Sequence, residues 1–148
     1  MQISTRGRYG LRAMADMALQ ASEGPMALRV IAERQGISES YLEQVFTSLR
    51  RSGLVRASRG AQGGYELNRQ ANQITVGEIL RSLEGPIVPV YCVGESEGAS
   101  CEREQYCVTR SFWEELRDKI NEFLDGTTLQ DLVDRAKATL PEEPMYYI

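Results

Sequence analysis

The sequence predicts a mainly α-helical fold with one small β-hairpin wing and a long helix appended to it. Three observations carry this. Apolar residues recur at three- and four-residue spacing through most of the chain, a glycine-rich turn divides two short strand-like segments, and a long apolar stripe occupies the last third. The 148 residues, 42% hydrophobic and 26% charged, suffice for one ordinary domain core plus an appended element, which excludes a large multidomain enzyme.

Tyr9, Leu11, Met14, Ala15, Ala18 and Leu19 mark an amphipathic helix over residues 4–21, with Arg6, Arg8, Arg12 and Asp16 elsewhere on its surface and Gly24-Pro25 ending it. Leu28, Ile31 and Ala32 begin a shorter helix, which Gln35-Gly36 closes because glycine supplies the conformation that stops a helix. Ser38 or Ser40 caps a third helix, whose apolar face is Tyr41, Leu42, Val45, Phe46 and Leu49 and which ends at Ser52-Gly53. Two short helices across a glycine turn are the pattern of a helix-turn-helix, whose second helix enters the DNA major groove.

LVRAS and YELNR then read as two strands joined by Arg59-Gly60-Ala61-Gln62-Gly63-Gly64, a β-hairpin wing with Arg59 at its tip, available to a narrow minor groove. The turn lacks the Gly-Lys-Ser/Thr of a nucleotide loop. Thr75 and Glu78 stand at capping-box spacing and start a fourth helix through Val76, Ile79, Leu80 and Leu83, stopped by Gly85-Pro86. From Val108 to Asp125, Phe112, Trp113, Leu116, Ile120, Phe123 and Leu124 form a stripe that calls for a partner helix across a dimer. Thr128-Leu129-Gln130-Asp131 starts a last helix, and Pro141 ends it. The predicted division is residues 1–85, a winged helix-turn-helix; 86–107, a cysteine-containing loop; 108–140, the dimerisation and C-terminal helices; and 141–148, a flexible tail.

Net charge of −4 argues against nucleic acid until it is divided along the chain. Residues 1–70 carry ten basic residues against six acidic, every basic one an arginine; residues 71–148 carry seven against fifteen. The reading head is therefore basic and the acidity belongs to the remainder. The absence of histidine removes Ser-His-Asp and Cys-His catalysis, and no cofactor fingerprint is present, so an enzyme is not expected. The opening MQISTRGRYG is not apolar enough for export and no transmembrane-length run follows, which predicts a cytoplasmic chain with no membrane partner.

GISESYLEQVFTSLRRSGLVRASRGAQGGYEL, with the opening STRGRYGLRAM and the later TVGEIL, resembles the IscR-type iron–sulfur winged-helix transcription regulators, the family of NsrR and CymR, as far as about residue 135. The resemblance implies a homodimer reading an inverted repeat in double-stranded DNA, with the segment Ser38 to Arg51 in the major groove and Arg59, beside Gly60, in the minor groove. It implies Ser40, Tyr41, Gln44 and Arg50 as DNA contacts. Plainer roles stand beside these: Ser38 or Ser40 as a cap, Tyr41 as a half-buried packing residue, Arg50 and Arg51 as partners of the helix dipole. Gln44 and Arg59 have no evident core or capping role, and glutamine pairs bidentately with adenine.

Cys92, Cys101 and Cys107 fall within sixteen residues with no CxxC pair, which disfavours a zinc ribbon or a dithiol. Three soft thiolates suit a 2Fe-2S cluster if one further residue completes the second iron, and the resemblance aligns these cysteines with the family's cluster ligands. The chain departs from the family by an insertion between Cys92 and Cys101. It also carries Arg110 where the family places a ligating histidine after the third cysteine, and arginine has no lone pair to give. Relatives without that histidine use an acidic residue near position 8 of the partner subunit, where this chain has Arg8 and Arg12. The oxygen donors left are Glu43, Glu102, Glu104, Asp16 and Glu95, of which Glu43 is the selected fourth ligand. Its other readings are a solvent-facing residue or a capping-box partner of Ser40. The expected function is a repressor of iron–sulfur cluster biogenesis genes that senses cluster status. The alternatives are nitric-oxide or redox sensing by the same cluster, and a cluster-free, partner-regulated DNA-binding protein with structural or zinc-binding cysteines.

Overall fold

The computed structural model describes residues 1–94 and 101–139. The Ser4 hydroxyl accepts from the Gly7 N–H at 3.1 Å and starts α1 over Thr5–Leu19; the remainder of the predicted helix continues as a single 3-10 turn, Ala21–Glu23. Helix α2 spans Leu28–Gln35 and stops at Gly36, whose φ of 65° is left-handed and favours glycine. Helix α3 then spans Glu39–Arg51 with Leu42, Val45, Phe46 and Leu49 fully buried. Each such side chain removed from water contributes about 2–3 kcal/mol.

Strands β1 (Val55–Ser58) and β2 (Gly64–Leu67) pair antiparallel from Val55↔Leu67 to Ser58↔Gly64; β1 falls within the predicted LVRAS, while β2 takes in Gly64 from the predicted turn and stops before Asn68. The sequence reading missed a third element, since Met26 pairs with Tyr65 as an isolated bridge. Its N–H donates to the Tyr65 carbonyl at 2.9 Å and its carbonyl accepts from the Tyr65 N–H at 2.7 Å. One residue is too short to leave a period-2 pattern.

Helix α4 (Val76–Glu84) carries the predicted capping box. The Glu78 N–H donates to the Thr75 hydroxyl at 3.1 Å and the Thr75 N–H donates to Glu78 at 3.0 Å. Burial pushes the Glu78 carboxyl up, but the Thr75 N–H and the Arg69 guanidinium outweigh it and hold it below the ordinary glutamate value. Helices α1, α3 and α4 share one core with Ile31, Ile74, Leu129 and Val133. The starts of α1 and α4 both reach the rest of the fold, because Ser4 donates to Glu84 and the Val76 N–H donates to the Thr127 carbonyl at 2.8 Å.

Helix α5 (Arg110–Gly126) begins two residues later than predicted. The Thr109 hydroxyl lies 3.4 Å from the Cys107 thiol and makes no capping bond to the helix. No residue of α5 is buried, although Ile120 and Leu124 touch a second small cluster formed by Val76, Leu80 and Ile87. Helix α6 (Leu129–Thr139) returns to the main core through Leu129 and Val133. The predicted stop at Pro141, the tail 141–148 and Glu95 lie outside the described residues. Among the described residues no helix is long and apolar enough to cross a membrane.

Candidate nucleic-acid interface and cysteine segment

Helix α3 turns one face wholly into the core, and its opposite face leaves Ser40, Glu43, Gln44, Thr47 and Arg51 in solvent at helical spacing. Ser38 is the cap: its hydroxyl accepts from the Tyr41 N–H at 3.2 Å. That settles the choice between the two serines and leaves the exposed Ser40 free of capping duty. The same assignment removes the capping-box reading of Glu43, which requires Ser40 as cap. Tyr41 is half-buried and meets Tyr9 edge-on, ring centroids 5.9 Å apart. Arg50 is exposed in the last turn of α3, where a cation also favours the helix C-terminus.

Arginines of α1 flank this helix in a way their sequence positions did not reveal. The guanidinium carbons of Arg8 and Arg12 lie 5.9 and 5.4 Å from the Tyr9 ring centroid. Arg12 also donates to the Gln35 carbonyl at 2.5 Å, so it fastens the end of α2 just before the turn into α3. Arg6 donates to the Ser48 hydroxyl of α3. Cross-helix contacts of this kind leave no spacing signal, because their partners are distant in sequence.

At the wing tip Arg59 and Gly60 are exposed, and Gly60 has a φ of 105°, a conformation side chains rarely adopt. Arg56 is paired across the strands with Glu66 at 3.5 Å, whereas no such pairing involves Arg59 among the described residues. The arrangement therefore offers an exposed polar helix face, an exposed wing cation and arginines around them, which suits a groove lined by phosphates.

The cysteine segment lies on a different part of the fold. Cys92 sits on the 3-10 turn Tyr91–Val93, Cys92 and Cys101 are partly exposed, and Cys107 is exposed. The Thr109 hydroxyl and then the Thr109 backbone hold the Cys107 thiol below the ordinary thiol value. As donors, three thiols with one poised toward thiolate fit the soft-ligand requirement of a 2Fe-2S cluster. Their positions do not make a closed site in one chain: among the described residues no three of His, Cys, Asp and Glu form a metal-holding group, so Glu43 does not complete one with any two of the cysteines. Of the other oxygen donors considered, Asp16 is 5% exposed and held by Arg34, and Glu104 is paired with Arg110 at 3.0 Å.

Residues 3–135 match a protein-family model described as Rrf2, iron-dependent transcriptional regulator. The chain is 44% identical over 148 residues to the HTH-type transcriptional regulator CymR of Bacillus subtilis, with both chains covered in full. A solved structure of CymR, the global cysteine regulator of B. subtilis, superposes with a TM-score of 0.76, covering 91% of this chain and 98% of that one. The chain is 43% identical over 134 residues to the HTH-type transcriptional regulator IscR of Pectobacterium atrosepticum, covering 90% of this chain and 80% of the relative. A structure of T. potens IscR superposes with a TM-score of 0.77 at 43% identity, covering 99% and 97%.

Proposed function

The chain belongs to the Rrf2 family of DNA-binding transcriptional regulators, and from that premise we propose that it is a homodimeric repressor that reads an inverted-repeat operator and senses iron–sulfur cluster status through Cys92, Cys101 and Cys107. In this reading Ser38, Ser40, Tyr41, Gln44 and Arg50 enter or border the major groove, while Arg59 and Gly60 approach the minor groove. The observation that carries the DNA-reading part is the two-sided character of α3, apolar and fully buried on one side, polar and exposed on the other.

The homodimer rests on α5, where Phe112 is 57% and Phe123 62% exposed on an amphipathic helix with no buried residue. A second copy of that helix is the partner of matching chemistry, and it sets two copies of α3 about one DNA turn apart. When bound, a 2Fe-2S cluster supplies a redox-sensitive charge at the cysteine segment. The chain's own residues supply the thiol donors and, in this reading, an oxygen donor from Glu43 of the other subunit. Glu43 stands one residue before Gln44, so any engagement of its carboxylate alters the charge that DNA bases meet.

Anaerobic purification followed by an absorption spectrum tests the proposal. A coloured protein that loses its spectrum on replacing any one cysteine supports it; a colourless protein, or one holding zinc, overturns the cluster reading. An unchanged spectrum and unchanged cluster retention in Glu43→Ala sink the fourth-ligand assignment alone. Bleaching by nitric oxide much faster than by oxygen would favour the nitric-oxide alternative. The full-length match to CymR favours a second reading, a cluster-free regulator of cysteine-related genes, which predicts operator binding unaffected by loss of all three thiols.

A further inference from the structure

Cys92 lies on one side of residues 95–100 and Cys101 and Cys107 on the other, and one side chain touches both flanks. From the first position of α5, Arg110 donates through Nη1 to the Cys92 carbonyl at 3.5 Å and through Nη2 to Glu104 at 3.0 Å. Its Nε donates to Glu114, one helical turn on, at 3.0 Å. Its backbone N–H donates to the Cys107 carbonyl at 3.5 Å. Two turns further along the same face of α5, Arg117 donates to the Val93 carbonyl at 2.8 Å, next to Cys92. The guanidinium thus has three partners in three parts of the chain, the Cys92 turn, the Cys101–Cys107 segment and α5, and the backbone N–H of the same residue adds a fourth contact at Cys107.

Exposed ion pairs taken singly contribute little, because ordering two long side chains offsets the attraction. Arg110 differs in that its side chain is only 28% exposed and Glu114 already orients its planar fork. The remaining two N–H directions are then presented to the loop with less further loss of freedom. A lysine at this position keeps the charge but gathers its donors on one nitrogen, without the planar fork that reaches three separated acceptors.

We propose that Arg110 is the positioning residue of the cysteine segment, an ionic clasp that joins its two flanks and ties both to the first turn of α5. Whatever draws the three thiols together or apart, a metal centre or oxidation, then pulls on the end of α5 that carries Phe112 and Trp113, the helix assigned above to the dimer. The sensor is thereby linked to subunit packing directly, without passing through α3. This deepens the sensing role proposed above and rests on it, but the clasp itself is a property of the chain without a cluster.

The test uses full-length, reduced, cluster-free protein, with iodoacetamide alkylation resolved for each cysteine by mass spectrometry and with amide hydrogen exchange. Arg110→Ala should raise the alkylation rate of Cys92 roughly two- to fivefold. It should also lower protection at residues 91–94 and in the first turn of α5, with the melting temperature and the protection of α1 and α3 preserved. Arg110→Lys should fall between, and Glu104→Gln should loosen only the Cys101–Cys107 side. If Arg110→Ala does not fold, Arg110→Lys carries the Cys92 comparison, while Glu104→Gln and wild type in about 1 M salt test the Glu104 side, which screening should loosen. Unchanged alkylation and exchange in Arg110→Ala, or a uniform loss of protection across the whole chain, would overturn the clasp. Wild-type protein that alkylates as expected but never acquires cluster colour would leave the clasp standing and sink the cluster reading; the reverse pattern would do the opposite.

Discussion

Arg34→Ala should cost the fold more than Asp16→Ala, although the two residues form one ion pair. Asp16 is 5% exposed and is the only buried charged side chain among the described residues. Arg34 Nε lies 3.1 and 3.0 Å from its two oxygens, and Arg34 Nη2 reaches the Met26 sulfur at 2.7 Å. Arg34 keeps 34% of its side chain in water. Removing it strands a carboxylate with almost no solvent, a loss of about 3–5 kcal/mol for a fully buried pair, and the exposure of Arg34 lowers this to about 2–3 kcal/mol. Removing Asp16 instead leaves a guanidinium that can turn into solvent, at about 1 kcal/mol. For a chain of this size those values correspond to melting-point losses of roughly 5–10 °C and 2–4 °C. Thermal and urea unfolding at one fixed protein concentration measure both, since the stability of the proposed dimer would depend on concentration. Asp16→Ala costing as much as Arg34→Ala, or more, would refute the reasoning, because it would mean the carboxylate is not the desolvated partner.

Three further predictions concern the wing, the reading residues and the cap. A Cβ at Gly64 would lie 2.3 Å from the Met26 carbonyl carbon, which is backbone and cannot turn aside. Gly64→Ala should therefore break the Met26–Tyr65 bridge and cost about 1–3 kcal/mol, with the lost protection of those two amides as the diagnostic in hydrogen exchange. Arg59→Ala should weaken binding to all DNA sequences and lower the salt slope by about one, whereas Gln44→Ala should cost about 1–3 kcal/mol at one operator position and relax its identity; titrations on an operator and on point variants at several salt concentrations separate the two. Because the folded-state carboxyl of Glu78 is held below its ordinary value, its contribution is complete above the ordinary glutamate range and is lost as pH falls through that lowered value. Because glutamine keeps the capping box and loses only the half-exposed charge, Glu78→Gln should thus cost about 0.3–0.5 kcal/mol at pH 7 and progressively less below about pH 4, read from urea midpoints at the two pH values.

Local signals made most of the fold legible. Serine before a periodic apolar run, glycine after it and Thr-x-x-Glu at residues 75–78 each act within a few residues, and the structure uses Ser38, Gly36 and the Thr75–Glu78 box as caps. Contacts between distant segments were not legible. Met26 carries no strand pattern, Arg12 reads as a surface arginine until Gln35 is seen beside it, and Asp16 reads as an ordinary helix acid until Arg34 closes on it. The candidate reading residues could be named because an amphipathic helix divides its two faces by spacing alone. The cysteine segment could be named by composition, but the role of Arg110 required its three side-chain partners to be placed.

Charge placement within the reading head separates affinity from discrimination. Helix α3 carries Glu39 and Glu43 before its first cation, Arg50, so its early turns repel phosphate. Attraction must come from around it, from Arg8 at the Tyr9–Tyr41 contact, from Arg50 and Arg51 at the far end of α3 and from Arg59 at the wing tip. A rim that holds the backbone gives no sequence preference by itself. A carboxylate at the centre does, since it accepts a hydrogen bond from the cytosine amino group but is repelled by the acceptor edge of guanine. In the proposed reading Glu43 would therefore lower affinity for most sequences and spare those that offer a donor next to the base assigned to Gln44, which is selection by penalty. In a regulator with net charge −4, the proposed division of roles would let binding follow the edge pattern and leave bulk DNA largely alone.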